Sequence, residues 1–190
     1  MLTDRQIDRV LGKLKRFETT LEPMLFEPIA SLDAQMHETE QNLDSAPVDA
    51  TYIPAKKGAV WGGEWKYCWF QTEYTVPEEY ANIPLFLKAD VGGQESMLFI
   101  DGVPSGIFTI PQNGAAHGYH YCDLITMGTA ANTYYHFDLE AYAWHYTPGS
   151  QPMVTNPMPD FLHHYNSIEV CVKNPVINQF YFDLKTFDQM

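Results

Sequence analysis

Between Lys66 and Val76 the chain alternates: Lys66, Cys68, Phe70, Thr72, Tyr74 and Val76 share one parity, and Tyr67, Trp69, Gln71, Glu73 and Thr75 share the other. A repeat of two is the signature of a strand whose successive side chains point to opposite faces. The first set is the more apolar and is expected to face the core. No helix satisfies this pattern, so the stretch commits the chain to at least one sheet with two different faces.

Further strands are expected at "IPLFLKADV", at both arms of "SMLFIDGVPSGIF", and at residues 119–125, 133–143, 167–172 and 176–184. In the second of these, Asp101-Gly102 between apolar runs marks a tight hairpin, because glycine accepts the positive φ that such a turn needs. One helix is expected at the start. Thr3 and Gln6 fit a capping box, Ile7, Val10, Leu11, Leu14 and Phe17 follow helical spacing, and Pro23 and Pro28 stop it in the low twenties. Residues 31–58 lose periodicity and gather Asp33, Glu38, Glu40, Asp44 and Asp49, which reads as a solvated acidic connection.

At least seven short strands and one helix predict an all-β fold: an antiparallel two-layer, jelly-roll-like β-sandwich with an N-terminal amphipathic helix. Each half-polar sheet must cover its apolar face with another sheet. Residues 1–57 are assigned to the helix and the acidic stretch packed on the sandwich, and residues 58–190 to the sandwich itself. The segment 146–166, with four prolines and no period, is expected to be a long loop.

Composition narrows the function. The 190 residues, 45% of them hydrophobic, suffice for one sizeable core. Lys+Arg number 11 against 24 Asp+Glu, a formal charge of −13, and this acidic surface repels phosphate backbones and anionic headgroups. Nucleic acid is therefore not an expected partner. No apolar run approaches the roughly 20 residues of a bilayer span, so no membrane is expected either. The start "MLTDRQIDRV" lacks the basic and apolar regions of a secretory signal, and a cytoplasmic location is expected. Cys68, Cys122 and Cys171 are odd in number and lie in strand-like contexts, as buried free thiols do.

The histidines do not follow metal-ligand spacing. His117 and His120 are three positions apart, which on a strand points them to opposite faces, and His163 and His164 are adjacent. No metal is expected within this chain. No G-x-S-x-G elbow or Cys–His pairing occurs, and no catalytic residue is assigned.

Aromatic side chains carry the best functional signal. Trp61, Trp65 and Trp69 recur every fourth residue beside Gly62-Gly63, and Trp144 and His145 border the proline-rich segment. Indoles stack on the apolar faces of sugars but also fill cores and interfaces, and the residues alone leave both readings open. Alternation from about Trp65 onward places Trp65 and Trp69 on one sheet face, opposite Phe70 and Tyr74. Glu140 shares its parity with Tyr134, His136 and Asp138, a polar face expected to meet solvent or an interface.

Taken in order, "WGGEWKYCWFQTEYTVP", "GGQESMLFIDGVPSGIF", "HGYHYCDLI" and "NTYYHFDLEAYAWHYTPGSQP" resemble the N-terminal β-sandwich of glycoside hydrolase family 38 α-mannosidases of the cytosolic and vacuolar type. The resemblance covers roughly residues 58–153, and "NPVINQFYFDLKTFDQM" resembles the segment leading to the catalytic barrel. It implies an accessory domain of a zinc-dependent, retaining α-mannosidase acting on mannose-containing oligosaccharides. Zinc, nucleophile and acid/base would belong to a barrel beyond residue 190. The implied partners are that catalytic domain and neighbouring subunits, with Trp61, Trp65, Trp69, Trp144, His145 and Glu140 as candidate carbohydrate or interdomain contacts. The alternative is a free-standing carbohydrate-binding β-sandwich using the same tryptophans.

Overall fold

The computed structural model describes residues 3–109, 120–146 and 160–188. In chain order the elements are α1 (Asp4–Leu21), β1 (Phe26–Ser31), β2 (Ala34–Thr39), β3 (Ile53–Ala55), β4 (Val60–Gly62), β5 (Tyr67–Thr75), β6 (Leu85–Asp90), β7 (Glu95–Ile100), β8 (Val103–Thr109), β9 (Cys122–Thr126), β10 (Tyr134–Tyr142), β11 (Leu162–His164), β12 (Ser167–Lys173) and α2 (Pro175–Asp188). They form a six-stranded sheet in the order β3-β2-β5-β10-β7-β8, a four-stranded sheet in the order β1-β12-β6-β9, and the pair β11-β4. This is the expected antiparallel jelly-roll sandwich. The chain divides into two compact units, Met1–Ile29 with Cys171–Met190, and Ala30–Val170.

In the larger unit the alternation of β5 lands as expected. Cys68, Phe70, Thr72, Tyr74 and the following Val76 are all buried, and the register sets Phe70 opposite Leu139 on β10 and Met36 on β2. Leu98, Phe137, Leu139 and Ala141 continue this inner layer, and Leu85, Leu87, Ile168 and Val170 supply the second; all eight have no measurable exposure. Burying each large apolar side chain contributes about 1.5–3 kcal/mol, so the two inner faces account for the sandwich without a ligand or disulfide. The three cysteines are buried and form no disulfide.

The Asp101-Gly102 hairpin forms between β7 and β8, with φ of 52° and 77° at its two central residues. The Asp101 carboxylate also accepts a 2.9 Å hydrogen bond from the backbone N–H of His136, pinning the turn to β10.

Residues 31–58 are not the featureless connection their composition suggests. They hold β2 and β3, and β2 lies between β3 and β5 in the large sheet. The segment between β2 and β3 then lies on the outer face of that sheet: the His37 ring is 3.1 Å from the Thr51 carbonyl oxygen through Nδ1 and packs 5.5 Å from the Tyr52 ring.

In the smaller unit, α1 begins at the capping box, where the Thr3 N–H donates to Gln6 Oε1 at 2.8 Å. Its apolar stripe is less covered than expected: no α1 residue is fully buried. Residues 176–184, expected as a strand, form part of α2. Asn174 Oδ1 accepts from the N–H of Ile177 at 3.1 Å, and Pro175 opens the first turn, where its missing N–H costs nothing. Tyr181 and Leu184 then fall on one buried face.

Candidate functional site

The three tryptophans of the Gly-rich stretch occupy three different environments. Trp61, on β4, is 1% exposed; its Nε1 donates to the Val91 carbonyl at 2.7 Å and its ring meets Phe70 edge-on at 5.8 Å. Trp69, on β5, is fully buried on the opposite face of the sheet and packs 5.5 Å from Phe99. Trp69 is enclosed by its own chain and is not available as a carbohydrate or interdomain contact. Trp65 precedes β5 and takes φ +65°, so it does not share a strand face with Trp69; it is 55% exposed.

Strand parity breaks there because Gly62 and Gly63 adopt φ of 111° and 116° immediately before it. A Cβ on Gly62 would lie 2.5 Å from the Phe161 carbonyl oxygen, so only glycine allows the chain to pass. The turn is closed by hydrogen bonds from the Trp65 N–H to the Trp144 carbonyl and from the Ala143 N–H to the Lys66 carbonyl. Trp144 itself sits at φ +92°.

These two left-handed tryptophans bring an aromatic group together at one end of the large sheet. The Trp65 indole stacks on the His145 ring at 3.6 Å and 15° between planes, and Trp144 lies 5.5 Å from the same ring on the neighbouring residue. Tyr142 hydrogen-bonds through its hydroxyl to His145 Nδ1 and stacks on Tyr67 across the β5–β10 pair at 4.8 Å. Tyr67 and Tyr142 are not among the contacts expected from the sequence. Their signal was available: each is the end residue of an alternating strand on its polar parity.

Beside this group, on the outer sheet face, lies a cavity of about 260 Å³ whose walls include Asn42, Tyr67, Glu95, Met97, Glu140 and Tyr142. The register explains the set, since Glu140 lies opposite Trp69 and Met97, and Tyr142 opposite Tyr67 and Glu95. Glu140 is half-buried rather than solvated. Burial raises its pKa above the ordinary carboxyl value; a hydrogen bond from the Leu43 backbone opposes the shift, and the nearby Asp44 charge adds to it. Among the described residues its Oε1 has no hydrogen-bond partner, and neither has the buried Nε1 of Trp69. The Tyr67 and Tyr142 hydroxyls are pushed upward chiefly by burial, with Glu140 and Glu95 contributing at Tyr67, and Tyr67, Glu95 and Glu64 at Tyr142.

Farther along the same face, Asp138 is buried, not solvent-facing: its Oδ1 accepts from Gln71 Nε2 at 2.8 Å and lies 3.1 Å from His136 Nε2. Tyr52, whose pKa is pushed up to about 12 by burial and then by Asp138, closes over this part of the sheet. Of the candidate contacts, the fold therefore groups Trp65, Trp144 and His145, places Glu140 in the adjoining cavity, and buries Trp61 and Trp69. His163 is spent on structure, with Nε2 2.8 Å from the Ala143 carbonyl oxygen. His117 and most of the proline-rich segment lie outside the described residues. Among the described residues no group of three or more His, Cys, Asp or Glu is placed to hold a metal ion, and no helix is long and apolar enough to cross a membrane.

Residues 28–145 match the family model described as the α-mannosidase jelly roll domain. The chain belongs to this family. The match spans β2 through β10 and both groups of residues just described, so the jelly-roll domain includes the aromatic cluster and the carboxylate cavity. No curated protein matches the sequence. Among solved structures, the family's fold recurs in a β-glucuronidase from Ruminococcus gnavus, with a TM-score of 0.53 at 9% identity over 79% of this chain and 30% of the other. It also recurs in a β-glucuronidase from Faecalibacterium prausnitzii, with a TM-score of 0.50 at 12% identity over 77% and 31%. The chain thus spans about 30% of the length of these enzymes, and at such identities the likeness is one of fold. Membership of an α-mannosidase jelly-roll family supports an accessory glycosidase domain.

Proposed function

We propose that this chain is the N-terminal accessory domain of a zinc-dependent, retaining α-mannosidase of glycoside hydrolase family 38, acting in the cytoplasm on mannose-containing oligosaccharides. The observation that carries the proposal is the family match over residues 28–145. Among the described residues no cluster of His, Cys, Asp or Glu could hold zinc; the metal, the nucleophile and the acid/base are assigned to the catalytic domain, as the family resemblance implies. The role of this chain is packing against that domain and neighbouring subunits, and shaping the approach to the active site.

Exposed apolar side chains support a packing role. In the smaller unit, Phe17 of α1 and Val176, Phe180, Phe182 and Phe187 of α2 are all about half exposed or more. These five side chains are the apolar surface that the two helices offer to such a partner.

The test is to assay the 190-residue chain and the complete gene product on an aryl α-mannoside, with and without zinc. The expected outcome is zinc-dependent hydrolysis by the complete product and none by the 190-residue chain. Hydrolysis by the 190-residue chain alone, or no hydrolysis by the complete product, overturns the proposal.

A further inference from the structure

We propose that the aromatic end of the six-stranded sheet, formed by Trp65, Tyr142, Trp144 and His145, and the adjoining cavity holding Glu95 and Glu140 together bind one neutral pyranose unit. The exposed indole face takes the apolar face of the sugar ring, and the two carboxylates accept hydrogen bonds from its hydroxyls. The choice of mannose as the probe rests on the function proposed above; the site itself does not.

The first support is the exposure of Trp65 against the burial of its neighbours. This chain encloses Trp61 and Trp69 completely, yet leaves Trp65 55% exposed with one face laid flat on His145. Stacking on His145 fixes the orientation of an indole that keeps more than half of its surface exposed. Positive φ at a non-glycine residue costs about 1–3 kcal/mol, and both Trp65 and Trp144 are held there, joined by the Trp65 N–H to Trp144 carbonyl hydrogen bond. Strain retained to present an exposed ring is the pattern of a ligand contact.

The second support is continuity. Tyr142 belongs to both parts: it hydrogen-bonds His145 and faces Trp144 at 5.8 Å on one side, and walls the cavity on the other. A volume of about 260 Å³ lies just below the roughly 300–1,000 Å³ of drug-sized ligand pockets. It suits a single monosaccharide and not a buried oligosaccharide.

The third support is charge. The cavity offers carboxylates, the Asn42 amide and tyrosine hydroxyls, and among the described residues none of its lining groups is Lys, Arg or His. A neutral polyol satisfies such acceptors by donating its hydroxyl hydrogens. A uronate would bring a third carboxylate beside Glu95 and Glu140 and be repelled, and a divalent cation finds no ligand set here. A polyol hydroxyl therefore fits this cavity where an anion does not.

The experiment is a tryptophan-fluorescence and saturation-transfer NMR titration of the 190-residue chain with methyl α-mannoside, with methyl glucuronide in a parallel arm. Saturable binding of the mannoside and none of the glucuronide is expected. Trp65→Ala and Glu95→Gln should each weaken the mannoside by about fivefold, since a lost stacking or hydrogen-bond contact is worth ~1 kcal/mol. Trp65→Gly separates binding from stability: glycine relieves the left-handed φ, so its urea midpoint should hold while mannoside binding weakens as it does in Trp65→Ala. Absence of saturable mannoside binding, equal binding of the glucuronide, or full binding by folded Trp65→Gly overturns the site. Such a result beside an active complete α-mannosidase removes the sugar site alone; saturable binding beside an inactive complete product removes the mannosidase reading alone.

Discussion

Trp61 and Trp69 allow one comparison in which burial is held constant and hydrogen bonding is not. Both indoles are enclosed, at 1% and 0% exposure, and both lie in the unit Ala30–Val170, so they report on the same cooperative structure. They differ at one atom: Trp61 Nε1 donates to the Val91 carbonyl at 2.7 Å, whereas Trp69 Nε1 is buried with no partner among the described residues. Replacing either with phenylalanine leaves a small void, and at ~24 cal/mol per Å³ a few tens of Å³ cost about 1 kcal/mol in both variants.

The polar terms then act in opposite directions. Trp61→Phe strips the Val91 carbonyl of its donor, a loss of about 1–3 kcal/mol. Trp69→Phe removes an unsatisfied donor and regains about 1–3 kcal/mol of desolvation cost. Trp61→Phe should therefore be less stable than Trp69→Phe by about 2–6 kcal/mol, with Trp69→Phe at or slightly above the parent. Urea unfolding followed by both fluorescence and circular dichroism measures this, and at an m-value of about 2 kcal/mol/M the midpoints should separate by roughly 1–3 M. Equal midpoints, or a lower midpoint for Trp69→Phe, would refute the reasoning and show that the Trp69 N–H is satisfied.

Two further perturbations probe the turn and the cavity. At Gly58 (φ +84°) a Cβ would meet no atom within 4 Å, whereas at Gly62 (φ +111°) it would meet the Phe161 carbonyl oxygen at 2.5 Å; Gly58→Ala should cost about 1 kcal/mol and Gly62→Ala about 2–4 kcal/mol by urea unfolding, and equal costs would remove the close approach as the reason for glycine. Glu140 has a folded-state pKa raised chiefly by burial, so the folded chain holds its proton to higher pH than the unfolded chain and stability falls as pH rises through that window. Glu140→Gln, which can still accept from Leu43, should therefore match the parent below the unfolded carboxyl pKa and gain on it above the folded one. A pH series of urea midpoints showing the reverse trend would place Glu140 in a stabilising charge pair instead.

Local pattern was enough wherever one strand face is buried along its whole length. The alternation of β5 and the Asp101-Gly102 turn were legible because each depends on a few consecutive residues. β2 was not: "AQMHET" alternates, with Ala34 and Met36 buried, but over six residues inside an acidic stretch the signal is slight, and pairing with β5 decides it. In α2, the β-branched and aromatic residues Val176, Ile177, Phe180 and Tyr181 favour a strand by propensity. The decisive signals were Asn174-Pro175, a cap followed by the first-turn proline, and the helical spacing of Ile177, Tyr181 and Leu184. Tertiary packing of that face outweighed propensity, which spans only tenths of a kcal/mol per residue.

The aromatic site was half legible for a different reason. Residue type pointed to Trp65, Trp144, His145 and Glu140, but Trp65 and His145 are 80 positions apart and no periodicity relates them. The four-residue spacing of Trp61, Trp65 and Trp69 carried no information about faces, because Gly62, Gly63 and Trp65 all take positive φ within it. Each such residue reorients the chain, so parity counted from Trp61 is lost before β5 begins and must be counted afresh from Tyr67. Counted from there, Tyr67 and Trp69 share the outer face with Glu140 and Tyr142, and the segment carrying Leu43 and Tyr52 shuts Trp69 in while leaving Tyr67 and Tyr142 at its margin. Cover by that segment, not position along β5, separates the packing indole from the ring cluster still open to a ligand.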